Sequence, residues 1–219
     1  SITGLQAFLK IAQHQNISHY PIHIKLDTGM HRLGFEPHLI SELCSLLKNN
    51  NFVKVKSVFS HLSASDDLQF DDFTKLQFQR FDAMYSELEN VLPSKPIRHI
   101  LNTSGIFNYA EKQMEMVRLG IGLYGIGNSE QELKVLENVS TLKTIISQIR
   151  EVLPEESIGY SRRFRVTQKM KVATIPIGYA DGIRRAWGNE KGFVTINNQK
   201  ATILGSICMD MMMVDVTKI

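Results

Sequence analysis

Strand-like and helix-like hydrophobic patterns alternate through the first 118 residues, and this alternation limits the fold more than any other feature of the sequence. The predicted helices cover residues 5–12, 37–47, 70–91 and 104–112, and the predicted strands cover residues 22–26, 53–59, 97–101 and 114–118. Strands that alternate with helices form parallel sheets with helical crossovers. Four such units are too few for a closed (βα)8 barrel, so the sequence predicts a small open sheet or the C-terminal half of a barrel.

A different pattern follows this alternation. Short strand-like segments with no helices between them cover residues 141–153, 170–177, 193–196, 201–207 and 211–217. The segment 130–138 between the two patterns is polar. We therefore expect a barrel domain over residues 1–135 and a mostly β domain over residues 136–219.

The charge and cysteine content argue against several classes of protein. The formal net charge is +3, and no run of Lys and Arg exceeds two residues, so neither a nucleic-acid partner nor a membrane partner is indicated. No apolar stretch approaches the roughly 18 residues that a membrane span needs. Two distant cysteines, Cys44 and Cys208, predict neither a disulfide framework nor a metal site, and they favour the cytoplasm as a reducing compartment.

Polar and charged residues follow the predicted strands, where parallel α/β folds place their working residues. Lys25 lies in an apolar run, in which an unpaired charge is costly, and Arg118 also interrupts a strand pattern. Arg32 equally fits a loop cap, and His61 equally fits a hydrogen-bonded residue at the rim. A functional and a structural role therefore remain open for each of these four residues.

Two further segments predict a site for an anion. Asn102 and Thr103 precede a predicted helix in which Ser104 is a candidate N-cap, and Gly120 and Ile121 begin a glycine-rich turn. Backbone N–H groups from both segments, together with the threonine hydroxyl, would surround a phosphate group. An ordinary turn followed by a helix explains the first segment equally well.

Seven blocks of the sequence together resemble the bacterial alanine racemases, which are fold-type III pyridoxal-phosphate enzymes. The blocks are residues 23–34, 60–62, 101–104, 117–125, 159–160, 177–182 and 208–210, and they occur in the order found in that family. The resemblance implies a TIM-like (βα)8 barrel followed by a mostly β domain. It also implies interconversion of L-alanine and D-alanine by transfer of the Cα proton, which supplies D-alanine for peptidoglycan.

The same resemblance implies a site for pyridoxal 5′-phosphate on the barrel. Arg118 would face the pyridine nitrogen, and Arg32 would contact the phenolic oxygen of the cofactor and the carboxylate of the substrate. Lys25 matches a lysine that is often carbamylated in the family and would steady Arg32. The expected contacts at the phosphate end are Asn102, Thr103, Gly120 and Ile121.

The resemblance further implies a homodimer whose active site is built from both copies. Tyr160 would enter from the partner subunit and move the α-proton, in a hydrogen-bonded chain with His61 and Arg118. Because an unperturbed tyrosine has a pKa near ~10, it needs such cationic neighbours to act as a base. The backbone N–H of Met209 would meet the substrate carboxylate, and Tyr179 would line the substrate entrance.

The chain departs from the family pattern at one essential block. The family's cofactor lysine lies in a block resembling Val-Lys-Ala-Asn-Ala-Tyr-Gly, which does not occur in this sequence. We therefore expect an internal piece of a racemase that is inactive by itself, with flanking residues that could include a fused enzyme of wall synthesis. The alternatives are a non-catalytic barrel protein that binds pyridoxal phosphate, or a racemase of another small amino acid such as serine.

Overall fold

Three parallel strands form the sheet of the first part of the chain in this computed structural model, which describes residues 1–219. The strands lie in the order β1-β2-β3 and cover Tyr20–Lys25, Val53–Phe59 and Ile97–His99. The helices α1 to α5 cover Ile2–His14, Ile40–Leu47, Asp71–Glu89, Thr103–Asn108 and Glu130–Val135. These elements belong to one compact unit, Ser1–Ser140. The alternation of strands and helices is thus confirmed for the first three strands.

The core of this unit joins the sheet to the helices α1, α2 and α3. The β2 strand has the predicted bounds, and its residues Val53, Val55 and Val58 are buried. They belong to the same buried cluster as Phe78 and Phe81 of α3. Burial of each large apolar side chain contributes about 1.5–3 kcal/mol, so this contact is a main source of stability for the unit.

The fourth strand, predicted over residues 114–118, does not form. Met114 adopts a positive φ of 54°, which is incompatible with a strand, and only the N–H of Arg118 bonds back to Leu101 O, at 3.1 Å. The carboxylate of Glu115 instead accepts the backbone N–H of Arg98 at 2.8 Å and also binds its guanidinium. A side chain therefore takes the position on β3 that a neighbouring strand would occupy.

The helix predicted over residues 104–112 is divided, and its predicted N-cap is wrong. Asn102 is the N-cap, because its Oδ1 accepts the N–H of Gly105 at 2.9 Å, whereas Ser104 is buried within α4. The α-helix stops at Tyr109, which has φ −137° and ψ 46° and donates its hydroxyl to Asp71 Oδ1 at 3.0 Å. A separate 3-10 turn, Ala110–Lys112, follows.

The second compact unit, Thr141–Ile219, is an antiparallel β structure. Its main sheet has the order β4-β7-β10-β9-β8, and β5 pairs with β6. The strands β4 to β10 cover Gln148–Val152, Ser157–Ile158, Phe164–Arg165, Met170–Ile175, Phe193–Ile196, Gln199–Leu204 and Met212–Asp215. A mostly β second part is therefore confirmed, and the chain as a whole is a parallel α/β unit followed by an antiparallel β unit.

Two local features explain the strand bounds in this unit. Residues 141–147, predicted as strand, precede β4; Ser147 N still donates to Thr174 O of β7 at 2.9 Å, but β7 ends one residue later, at Ile175 before Pro176. At the β8–β9 hairpin, Asn197 and Asn198 have φ values of 49° and 61°. Two successive residues with positive φ match the twist of the strands in a two-residue hairpin, and asparagine tolerates this conformation well.

None of the helices is both long and apolar enough to cross a lipid bilayer.

Candidate functional site

Arg118 is held near the carboxyl ends of β2 and β3 by acceptors that are all uncharged. Its Nη2 donates to Ser60 O at 2.6 Å, to Ile100 O at 3.2 Å and to His61 Nδ1 at 3.3 Å. Its Nη1 donates to the ring and the backbone oxygen of His99. Burial lowers the pKa of Arg118 from its usual value, but a guanidinium stays protonated in proteins. The site therefore keeps a positive charge that no carboxylate neutralises.

Lys25 and Arg32 add their charges to the site, and the neutral ring of His61 lies beside Arg118. Burial lowers the pKa of Lys25, and the charges of Arg32 and Arg118 lower it further. Burial also lowers the pKa of His61, with additional effects of Arg118, Arg32 and Lys25. Because each cation disfavours the charge of its neighbours, the group is suited to an anionic ligand. The structure thus brings together four of the predicted residues.

Asp27 is a negative charge close to Lys25, but its carboxylate already accepts hydrogen bonds from the backbone. Its Oδ1 accepts the N–H groups of residues 29–31 at 3.0 to 3.1 Å. Burial opposes ionisation of Asp27, but these hydrogen bonds hold its pKa below the usual value. The side chains of Asp27, His31 and Glu36 each have an atom that could bind a metal ion, and these atoms lie within 4.8 Å of one another. Because three backbone N–H groups already bind Oδ1 of Asp27, we interpret this group as a loop contact rather than a metal centre. The carboxylate therefore shapes the loop after β1.

A second group of residues brings a threonine hydroxyl next to the backbone N–H groups of a glycine-rich turn. Thr103 Oγ1 accepts the N–H of Gly120 at 3.0 Å and of Gly122 at 3.2 Å. A Cβ at Gly122 would lie 2.7 Å from Thr103 Cγ2, so a larger residue there would push the two segments apart. Since the hydroxyl accepts from both amides, its own hydrogen remains available to a ligand. Thr103, Gly120 and the turn Ile121–Tyr124 are thus adjacent, as the sequence predicted.

Asn102 lies next to Thr103 in the chain, but its side-chain oxygen already has two structural partners. Its Oδ1 caps α4 and also accepts the hydroxyl of Ser65 at 2.7 Å. These bonds orient the first turn of α4 and so place Thr103 toward Gly120. A direct contact of Asn102 with a ligand stays a prediction.

Sequence reasoning missed Gln77, which links the loops that follow β1 and β2. Its Nε2 donates to Thr28 Oγ1 at 3.1 Å and to His61 O at 3.2 Å, and its Oε1 accepts Ser63 N at 2.9 Å. Gln77 is fully buried on α3, four residues from Phe73 and from Phe81. A glutamine on the apolar face of a helix was the signal that could have identified it.

In the second unit, Tyr179 and Met209 lie on two loops that hydrogen-bond to each other, and Tyr160 lies on a separate turn beside Met209. Tyr179 N donates to Cys208 O at 3.0 Å, and Ala180 N donates to Met209 O at 2.9 Å. A Cβ at Gly178 would lie 2.4 Å from both of these carbonyl oxygens, so this approach requires glycine. The two motifs at residues 177–182 and 208–210 are thus held against each other by backbone hydrogen bonds.

Tyr160 is presented to solvent beside the second of these loops. It is 68% exposed and follows Gly159, which has a positive φ of 77°. Tyr160 and Met209 line a shallow cavity of about 380 Å³ with Gly159, Cys208, Asp210 and Met211. An exposed phenol beside a cavity is available to a ligand or to another copy of the chain.

Comparisons with known proteins agree over nearly the whole sequence. The family model "Alanine racemase, N-terminal domain" matches residues 1–128, and "Alanine racemase, C-terminal domain" matches residues 139–219. Alanine racemase 1 of Oceanobacillus iheyensis is 36% identical over 202 residues, which are 90% of this chain and 53% of that protein. The alanine racemase of Clostridium tetani is 38% identical over 203 residues, or 90% of this chain and 52% of that protein. The chain therefore spans about half the length of the curated relatives it matches.

Solved structures share the fold of the chain. Alanine racemase from D-cycloserine-producing Streptomyces lavendulae superposes with a TM-score of 0.91 at 25% identity, covering 100% of this chain and 58% of that one. Alanine racemase from Bartonella henselae with covalently bound pyridoxal phosphate gives a TM-score of 0.81 at 28% identity, covering 100% and 59%. The arrangement of a partial barrel and a β domain is therefore one that solved structures contain.

Proposed function

This chain belongs to the alanine racemase family, and we propose from that premise that the protein carrying it interconverts L-alanine and D-alanine with pyridoxal 5′-phosphate. The observation that carries the proposal is the group formed by Lys25, Arg32, Arg118 and the neutral His61 ring near the ends of parallel strands. The same unit contains the contact of Thr103 with the glycine-rich turn. Pyridoxal phosphate is an anion with two charged ends, a phosphate ester and a phenolate. Both the uncompensated cations and the backbone N–H groups suit such a group.

The residues of this chain would hold the cofactor at three points. Thr103 would donate its hydroxyl to the phosphate and Ile121 its backbone N–H, and Gly120 would join them once its N–H exchanges Thr103 Oγ1 for a phosphate oxygen. Arg118 would face the pyridine nitrogen, and Arg32, steadied by Lys25, would meet the phenolic oxygen. Bound pyridoxal phosphate supplies an electron sink that acidifies the α-proton of an amino acid. No lysine of this chain is assigned to a covalent bond with the cofactor.

Proton transfer would fall to Tyr160 of a second copy in a homodimer. Arg118 would favour the phenolate form of that tyrosine through its positive charge, and His61 through a hydrogen bond from its neutral ring, since both lower the pKa of an acid. Met209 would bind the substrate carboxylate through its backbone N–H, and Tyr179 would border the entrance. The proposal is supported by the exposed Tyr160 and by its position in the same cavity lining as Met209.

Arg118 would also direct the outcome of the reaction. A guanidinium has N–H donors and no acceptor, so it leaves a ring nitrogen that faces it unprotonated. The ring is then a weaker electron sink, which favours direct return of the proton to Cα over transamination. The product D-alanine would serve peptidoglycan synthesis in the cytoplasm, a compartment supported by the two unpaired cysteines.

The test is to incubate the protein that carries these residues with pyridoxal phosphate and L-alanine in D₂O. We expect D-alanine with deuterium at Cα, measured by chiral chromatography and proton NMR. We expect Tyr160→Phe to lower kcat by about 100-fold or more, because general acid–base groups contribute 10²–10⁴-fold. Tyr20→Phe, which removes the hydroxyl of another exposed tyrosine, is the matched control.

The alternatives predict different results in the same assay. A binding protein without catalysis would take up the cofactor and leave the α-proton of alanine unexchanged, which would contradict the proposal. A racemase of another amino acid would turn over serine with a higher kcat/KM than alanine, and this would contradict the assignment of the substrate.

A further inference from the structure

A line of hydrogen bonds runs from Arg118 across the three parallel strands, and its other members, His99, Ser57 and His23, are not among the predicted cofactor and substrate contacts. Arg118 Nη1 lies 2.5 Å from His99 Nδ1, His99 Nε2 lies 3.0 Å from Ser57 Oγ, and Ser57 Oγ lies 2.6 Å from His23 Nδ1. We propose that His99 is a positioning residue that fixes the orientation of Arg118 through a neutral ring nitrogen, in the tautomer whose other nitrogen donates to Ser57.

The direction of every bond in this line follows from Arg118. A guanidinium only donates, so Nδ1 of His99 must be the unprotonated acceptor nitrogen of the ring. Nε2 of His99 then carries the hydrogen and donates it to Ser57 Oγ. Ser57 in turn has its own hydroxyl hydrogen free to donate to His23 Nδ1. One tautomer of His99 thus satisfies all three bonds, and the other tautomer would oppose an N–H to the guanidinium.

Packing leaves these groups little freedom to rearrange. His99 is 4% exposed and stacks on Phe59, with the ring centroids 4.9 Å apart and the planes at 6°. The guanidinium of Arg118 lies over the same Phe59 ring, at 5.3 Å from its centroid. In the strand register, His23 pairs with Ser57, and Phe59 pairs with His99. Neighbouring strands therefore bring the partners together without help from a loop.

Because His99 is neutral, it affects the charge of Arg118 differently from a carboxylate in the same position. A carboxylate on Nη1 would pair with the guanidinium and reduce the positive charge that Arg118 presents to a ligand. His99 provides the hydrogen bond and leaves that charge intact. Burial, the charge of Arg118 and the presence of His23 lower the pKa of His99 to about 4, so the ring stays neutral near pH 7.

The inference rests on the proposed function only where it concerns the cofactor, and its first test does not need the cofactor. Long-range ¹H–¹⁵N correlation of the histidine rings, in the cofactor-free protein that carries these residues, distinguishes the two tautomers and the imidazolium. We expect His99 to show hydrogen on Nε2 alone between pH 6 and 8, with its signal assigned by its loss in His99→Asn. Hydrogen on Nδ1, or a charged ring in this range, would overturn the proposal.

Replacements of His99 can test the role of its hydrogen-bond acceptor separately from the role of its size. Asn places an oxygen where Nδ1 lies, Gln places a donor where Nε2 lies, and Leu supplies neither. A hydrogen bond to a charged group corresponds to a factor of about ten to a hundred, so we expect His99→Leu and His99→Gln to lower kcat and pyridoxal-phosphate affinity by that factor. We expect His99→Asn to restore both to within about threefold of the wild-type values.

The same replacements at His38, which is exposed on the turn Pro37–Leu39, are the matched controls. Equal losses in His99→Asn and His99→Leu would overturn the positioning role, because a purely structural residue would not respond to the acceptor. If the wild-type protein lacked racemase activity, the tautomer and cofactor-affinity measurements would still decide this inference, whereas the proposed function would fail.

Discussion

At the scale of single residues, the chemistry of the site depends on which charges are neutralised and which are left free. The carboxylate of Asp27 accepts hydrogen bonds from backbone N–H groups, and the guanidinium of Arg118 donates to neutral acceptors only. The free positive charge at Arg118 is therefore available to a ligand, and it also lowers the pKa of His61 and of His99.

The charge of Arg118 is predicted to control the ratio of two reactions. Replacement by glutamate places a proton donor or an anion where the guanidinium lay, so a facing ring nitrogen becomes easier to protonate. We expect Arg118→Glu to raise the ratio of pyruvate formed to alanine racemised by about tenfold or more, since a protonated cofactor ring is the better electron sink. Chiral chromatography and pyruvate assay measure both products.

Arg150→Glu, at an exposed position of β4, is the control for the change of charge. A ratio that stays at the wild-type value in Arg118→Glu would count against the role of this arginine at the ring nitrogen.

The buried histidine His99 predicts a pH dependence of stability. Its pKa is about 4 in the folded protein and about 6.5 in an unfolded chain, so the unfolded chain binds an additional proton between these values. The free energy of unfolding should therefore fall as the pH decreases from 6.5 to 4, by at most about 3 kcal/mol from this group. Urea denaturation at half-unit pH intervals measures the slope, which should become shallower in His99→Asn. Parallel curves for the two proteins would contradict the assignment.

The sequence identified the charged members of the site better than the residues that support them. Lys25, His61 and Arg118 stand out because charged side chains interrupt or end apolar strand patterns. His99 and Gln77 do not, since their roles depend on hydrogen bonds to residues between 14 and 49 positions away in the chain. Partners of that kind become visible only when the strands are paired.

At the scale of elements, α3 acts as a support behind the loops that carry the site. Gln77 bonds to the loops after β1 and β2, and Arg80 Nη1 donates to Thr28 O at 3.1 Å. The two wrong strand and helix predictions nearby have the same kind of cause. The side chain of Glu115 binds Arg98 where a fourth strand was predicted, and Asn102 rather than Ser104 caps α4. Neither contact can be predicted from the local secondary-structure propensity of the sequence.

Removal of the Gln77 amide should loosen both loops together. Gln77→Leu removes the hydrogen bond to the buried Thr28 hydroxyl and those to the partly buried pairs at Ser63 N and His61 O. A group left unsatisfied in a buried position costs about 1–3 kcal/mol. We expect the free energy of unfolding to fall by at least about 2 kcal/mol, with a higher KM for alanine because His61 loses its support. Chemical denaturation and steady-state kinetics measure the two effects.

Gln79→Leu makes the same change at an exposed position of α3 and should leave both quantities near their wild-type values. Equal effects of the two substitutions would show that Gln77 has no special role.

At the scale of the whole molecule, the candidate residues divide between the two compact units. Lys25, Arg32, His61 and Arg118 lie in Ser1–Ser140, whereas Tyr160, Tyr179 and Met209 lie in Thr141–Ile219. In the proposed homodimer, the second unit of one copy completes the site on the first unit of the other copy. A symmetric dimer of this kind contains two equivalent composite sites.

Subunit complementation tests this central claim most directly. Tyr160→Phe and Arg32→Ala are each expected to abolish nearly all alanine racemisation in their own homodimers. A heterodimer of the two variants, purified through two different affinity tags, contains one site with both wild-type residues and one site with neither. We predict that it racemises alanine at about half the wild-type rate, as expected for one intact site of two. A heterodimer as inactive as the two parent variants would contradict the account.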